Sequence, residues 1–140
     1  MAKKPDCIFC KIIAGEIPSF KVYEDAHAFA FMDINPIAPG HTLVIPKNHS
    51  ANLLEIPDDD LAAVQAASKK VAAKIMTALS PGGIAVLQLN GIGANQVVMH
   101  YHVHLVPRNR PHDGITLLEW YPEPGDMGQI EQVAAKISAA

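Results

Sequence analysis

The stretch His100-Tyr101-His102-Val103-His104-Leu105-Val106 places a histidine at every second position of an apolar run. Strict alternation over this length reads as a half-buried β-strand, which sends residues i, i+2 and i+4 to one face. Three imidazoles then line one side while Tyr101, Val103 and Leu105 pack behind them. A lone histidine in such a strand is usually a hydrogen-bonded core residue, but three in register are a costly way to fill a core and point to chemistry. One metal ion does not account for all three. The outer members of the row lie roughly 13 Å apart at ~3.3 Å rise per residue, whereas zinc needs its nitrogens ~2 Å away. The row therefore divides its labour. Neutral imidazole attacks phosphorus well near pH 7 when its other nitrogen is fixed by an acceptor, and the middle residue has a neighbour on each side. This reasoning puts the nucleophile at His102.

Outward from the row, Asn90-Gly91-Ile92-Gly93-Ala94-Asn95 reads as a glycine-bearing loop and Ile84–Leu89 as a strand before it. From Pro57 the period changes: Leu61, Val64, Ser68, Val71, Ile75 and Leu79 recur at steps of three and four, behind an Asp58-Asp59-Asp60 start and ahead of a Ser80-Pro81-Gly82-Gly83 stop. This is the long central helix. Further upstream, Phe20–Glu24 and Ala28–Met32 read as a hairpin around Asp25-Ala26-His27. Asp33–Gly40 is a loop with two prolines, and His41–Ile45 is a strand ended by Pro46. Cys7 to Ala14 has helical apolar spacing stopped by Gly15, and Asp126 with Gln129 caps a terminal helix carrying Ile130, Val133 and Ile137. The sum is an α+β domain, a mostly antiparallel sheet with one long helix packed across it.

The 140 residues, about half of them apolar, suit a single domain with a real core. A net charge of −3 without a basic stripe argues against a nucleic-acid groove, and no apolar run has membrane-spanning length. A cytoplasmic location and no membrane partner are expected. The two cysteines, Cys7-Ile8-Phe9-Cys10, form no disulfide framework and read as a redox pair, metal ligands or inert packing. A thioredoxin-type site should follow a strand inside a βαβ unit, which these do not. A zinc site would need two further ligands.

The His100–Val106 pattern, with Pro39-Gly40-His41-Thr42-Leu43-Val44-Ile45-Pro46-Lys47-Asn48-His49, resembles the histidine triad (HIT) family, most nearly its bacterial Hit and HINT branches. The likeness covers residues 7 to 108, with residues 109–140 as a C-terminal segment. It implies a homodimer with a joined sheet and a hydrolase or transferase acting at the α-phosphate of purine nucleoside monophosphate conjugates. The route it implies is a nucleotidyl-histidine intermediate on His102, with His104 contacting phosphate or leaving group and His41 supporting the triad. Ile8, Phe9, Ile12, Phe31 and Ile34 would form the wall around the purine. Asp33 would accept from the ribose hydroxyls, with a loop cap as its plain alternative, and Asn90 and Gln96 would supply amides on the phosphate side. The same resemblance implies a structural zinc held by Cys7, Cys10, His49 and His100. One departure is Val97, where many members carry Ser or Thr after the glutamine. Other activities open to the family are hydrolysis of dinucleoside polyphosphates of the Ap4A type and service as a zinc-stabilised nucleotide-binding regulatory module. Trp120 is the expected reach toward a partner subunit.

Overall fold

A computed structural model describes residues 2–113 and 123–140; Trp120 lies outside the described residues. Among the described residues five strands form one antiparallel sheet: β1 (Lys21–Glu24), β2 (Ala28–Met32), β3 (Thr42–Pro46), β4 (Gly83–Gln88) and β5 (Val103–Arg108), in the order β1-β2-β3-β5-β4. The β1–β2 turn is built by Asp25, whose Oδ1 accepts from the N–H groups of His27 and Ala28, both at 2.8 Å. The sheet is open, and β1 and β4 are its edges.

Alternation decides which face each side chain serves. Ala28, Ala30, Met32, Val44, Val103 and Leu105 pack on the long helix α2 (Asp58–Leu79) through Val64, Ala67, Val71 and Ile75. The terminal helix α3 (Met127–Ala139) adds Ile130, Ala134 and Ile137 to the same core, and Asp126 caps it by accepting from the Gln129 N–H at 2.8 Å. Phe29, Phe31, Leu43 and Ile45 point to the opposite face, where the short helix α1 (Ile8–Ile13) packs on them through Phe9 and Cys10. Among the described residues no helix is long and apolar enough to cross a membrane.

The histidine stretch departs from a simple strand in two respects. Pairing begins only at Val103, opposite Val44 and Gln88, so His100, Tyr101 and His102 precede β5. The ladder stops there for a physical reason: Pro46 offers no N–H, and its carbonyl accepts the His100 Nε2–H at 2.8 Å instead of a backbone amide. Tyr101 N–H bonds outward to the Ser50 carbonyl at 2.7 Å. The stretch is also buried on both sides rather than half-buried, because α1 and its surroundings cover the histidine face.

Candidate active site and candidate metal centre

A cavity of about 340 Å³ opens between α1, the end of β2 and the residues entering β5. Ile8, Phe9, Ile12 and Phe31 form an apolar wall, Asp33 and Ile34 stand at the end of β2, and His102 and His104 line the same space. Phe9 meets Phe31 edge-on at 5.3 Å and His102 edge-on at 5.2 Å between ring centroids, so the wall reaches the histidine row directly.

The hydrogen bonds fix the tautomers. His102 Nδ1–H donates to the His100 carbonyl at 2.7 Å, which leaves Nε2 with its lone pair. Ile37 N–H donates to His41 Nδ1 at 3.0 Å, so the His41 proton sits on Nε2 and is given to His104 Nδ1, also at 3.0 Å. His104 is thereby left with its proton on Nε2. Burial pushes His41, His100, His102 and His104 below the usual histidine range, His41 and His100 to about 4. Asp33 opposes this at His41 and His102. Near neutral pH the row is uncharged: one bare nitrogen on His102 beside one N–H on His104, with ring centroids 4.9 Å apart. That pairing can attack an electrophile and donate to an oxygen of the same group.

Asp33 does two things at once. Its Oδ1 accepts from Asn35 N–H at 2.8 Å, a loop cap, while Oδ2 lies 3.5 Å from His41 Nε2. Asn90 and Gln96 are placed away from the cavity wall. Gln96 is buried in the loop, its amide donating to the Ala51 and Val98 carbonyls at 2.7 and 3.0 Å and accepting from Gly91 N–H at 2.7 Å. Asn90 exchanges two hydrogen bonds with the Gln88 side chain and accepts from Leu53 N–H. The loop residues that do line the cavity are Asn95, Val97 and Val98, of which the sequence had drawn attention only to Val97. Asn95 holds φ +67°, the left-handed region that Asn tolerates better than most residues, a signal too weak to use before the loop is seen.

Behind α1, the Sγ atoms of Cys7 and Cys10 and the Nδ1 atoms of His49 and His100 lie within 4.8 Å of one another. The individual separations are 3.2 Å for His49–His100, 3.4 Å for Cys7–His100 and Cys10–His49, and 3.6 Å for Cys10–His100. Tetrahedral zinc, with Zn–N ~2.05 Å and Zn–S ~2.3 Å, requires roughly 3.3 Å between nitrogens and roughly 3.6 Å between nitrogen and sulfur. The donor set fits. His100 meets the further requirement that a ligating imidazole donate its other N–H, here to Pro46. Cys7 and Cys10 receive the N–H groups of Cys10 and Lys4 at 3.4 and 3.5 Å, which suits thiolates. Burial pushes the Cys10 thiol up, and a cation at the centre would counter that.

Asp33, His41 and His104 form a second close group. It fails the same test, because the far nitrogen of His41 accepts from Ile37 N–H. A metal on Nε2 would leave that ring without any proton. This group is a hydrogen-bond relay and the Cys7 group is the metal centre candidate.

Comparison with known proteins puts this geometry in context. Residues 14–111 match the HIT domain. Adenosine 5'-monophosphoramidase HNT1 of Candida albicans is 43% identical over 141 residues, covering 98% of this chain and 92% of that protein. Among solved structures, a Hit-like protein from Bartonella henselae superposes with a TM-score of 0.87 at 42% identity, over 99% of this chain and 98% of that one. A Zn-bound histidine triad family protein from Mycobacterium smegmatis superposes with a TM-score of 0.82 at 32% identity, over 96% and 91% of the two chains.

Proposed function

The chain belongs to the HIT family, and from that premise we propose that it is a hydrolase releasing nucleoside monophosphate from purine nucleotide conjugates, phosphoramidates first. The observation that carries this is the tautomer of His102: Nδ1–H is committed to the His100 carbonyl, leaving the lone pair on Nε2 of a buried, uncharged ring that lines the cavity. Similarity to the fungal monophosphoramidase over nearly the whole chain supports the substrate class.

In the proposed sequence the His102 Nε2 lone pair forms a bond to the α-phosphorus as the P–N or P–O bond to the leaving group breaks with its electron pair. The leaving atom takes a proton from water at the open mouth. His104 Nε2–H donates to the phosphoryl group as charge builds on it, an alignment that costs nothing at the moment of reaction because His41 has already set it. The His102 ring, cationic while it carries the nucleotidyl group, keeps Nδ1–H on the His100 carbonyl. Water then attacks phosphorus, the N–P bond breaks, the nucleoside monophosphate leaves and the surplus proton returns to solvent. The apolar wall takes the purine, and Asp33 Oδ2 takes the ribose hydroxyls. Among the described residues lining the cavity there is no Lys or Arg, which favours a small uncharged leaving group over the polyphosphate of an Ap4A-type substrate. Quenching in alkaline denaturant during a single turnover, where the N–P bond survives, should yield a His102 peptide carrying one covalent AMP; AMP release with no such adduct would exclude the intermediate.

The chemistry of the donor set and the zinc in a family neighbour support a structural Zn²⁺ on Cys7, Cys10, His49 and His100, with all four positions closed by protein. Held there, it would supply folding energy, and no bond-breaking step is assigned to it. The edge of β4, unpaired among the described residues and with Val86 exposed on it, supports a homodimer in which such an edge is covered.

A further inference from the structure

We propose that the Cys7-Cys10-His49-His100 centre and the nucleotide cavity are energetically coupled, so that a bound divalent metal and a bound adenosine nucleotide each tighten the other. The inference rests on the reading of the cavity as a nucleotide site. Two physical links join the centres. The first is α1, only six residues long and far too short to hold itself together in water. Its N-cap Cys7 and its Cys10 face the metal centre, while Ile8, Phe9 and Ile12 of the same turns line the cavity. Whatever fixes the two sulfurs fixes the base wall, and whatever fills the wall orders the sulfurs. Phe9 spans both, edge-on to His100 at 5.8 Å and to His102 at 5.2 Å.

The second link is His100 itself. Its ring contributes Nδ1 to the metal centre and donates Nε2–H to Pro46, while its carbonyl receives Nδ1–H of His102. A metal that fixes the His100 ring thus also holds the acceptor that sets the nucleophile's tautomer. No residue of the metal centre lines the cavity, so the two ligands do not touch a common side chain and the coupling passes through α1 and His100. Such coupling is reciprocal by necessity: the factor by which metal improves nucleotide binding equals the factor by which nucleotide improves metal binding.

The test uses the full chain loaded with Co²⁺, whose absorption reports tetrahedral thiolate ligation, and AMP as the probe. AMP affinity is measured by calorimetry with metal bound and after chelation, and the Co²⁺ affinity by chelator competition with and without saturating AMP. We expect metal to tighten AMP by about fivefold or more, at the low end of typical coupling, and AMP to tighten Co²⁺ by the same factor. Equal AMP affinity in the two forms, or a Co²⁺ affinity indifferent to AMP, overturns the proposal. Should the chelated protein lose its circular dichroism signal, His49→Ala replaces it, since that change removes one donor of the centre and leaves every residue that lines the cavity in place. Weakened AMP binding by the folded variant supports coupling and unchanged binding overturns it. A metal-loaded protein that binds no AMP at all would instead refute the nucleotide reading.

Discussion

Val97 stands 77% exposed on the cavity wall, next to the buried Gln96 that holds the loop in place. A hydroxyl there would reach solvent or substrate without disturbing any core contact, so Val97→Ser should leave the unfolding midpoint within error. It should raise kcat on an adenosine phosphoramidate, because an amide leaving group gains a nearby donor. Steady-state kinetics showing an unchanged or lower rate would remove that role. At this scale the sequence revealed much but not all. The alternation of histidines was enough to demand an acceptor for the second nitrogen of His102, and the His100 carbonyl is one. Gln96 and Asn90 are phosphate-side amides by the family resemblance alone, since an amide's partners are invisible in sequence, and in the fold their partners include backbone groups and Gln88. The His41 tautomer was equally hidden, since it depends on an N–H of Ile37 brought round by the proline-containing loop.

Among the elements, the long helix, the hairpin and the capped terminal helix were legible because each has period and punctuation in agreement. The limits of β5 were not, because the alternation of His100 and His102 continues the strand pattern after pairing has ended; the pattern records which face is buried, and Pro46 decides where the ladder stops. The turn into β3 shows how closely elements meet. Gly40 has φ +93°, and a Cβ there would lie 2.6 Å from Leu79 Cδ1 at the end of α2 and 2.9 Å from Pro107 Cγ on β5. Gly40→Ala is therefore expected to destabilise the fold by about 1–3 kcal/mol through strain and overpacking. Urea unfolding checks this, and an unchanged midpoint would mean that the loop leading to His41 relaxes freely.

Across the described residues, one sheet serves two cores: a conventional one under α2 and α3, and a smaller one in which α1 joins the candidate metal centre to the cavity. Burying neutral histidines has a consequence for stability. The native value of His41 is about 4 against 6.5 ordinarily, so as pH falls the unfolded chain takes up its proton first. The contribution is intact above pH 6.5 and is lost progressively toward pH 4, by up to roughly 3 kcal/mol at 1.36 kcal/mol per pKa unit. Denaturant titrations of metal-saturated protein should show His41→Gln with a shallower decline over that window than the wild type; parallel curves would show that His41 is already protonated in the native state. The central claim, nucleotidyl transfer to His102, is met most directly by hydrolysis of adenosine 5'-phosphoramidate with AMP release followed for the wild type and for His102→Ala. Turnover by the first that vanishes in a folded second is the expected result, and equal turnover by both, or none by either, would contradict it.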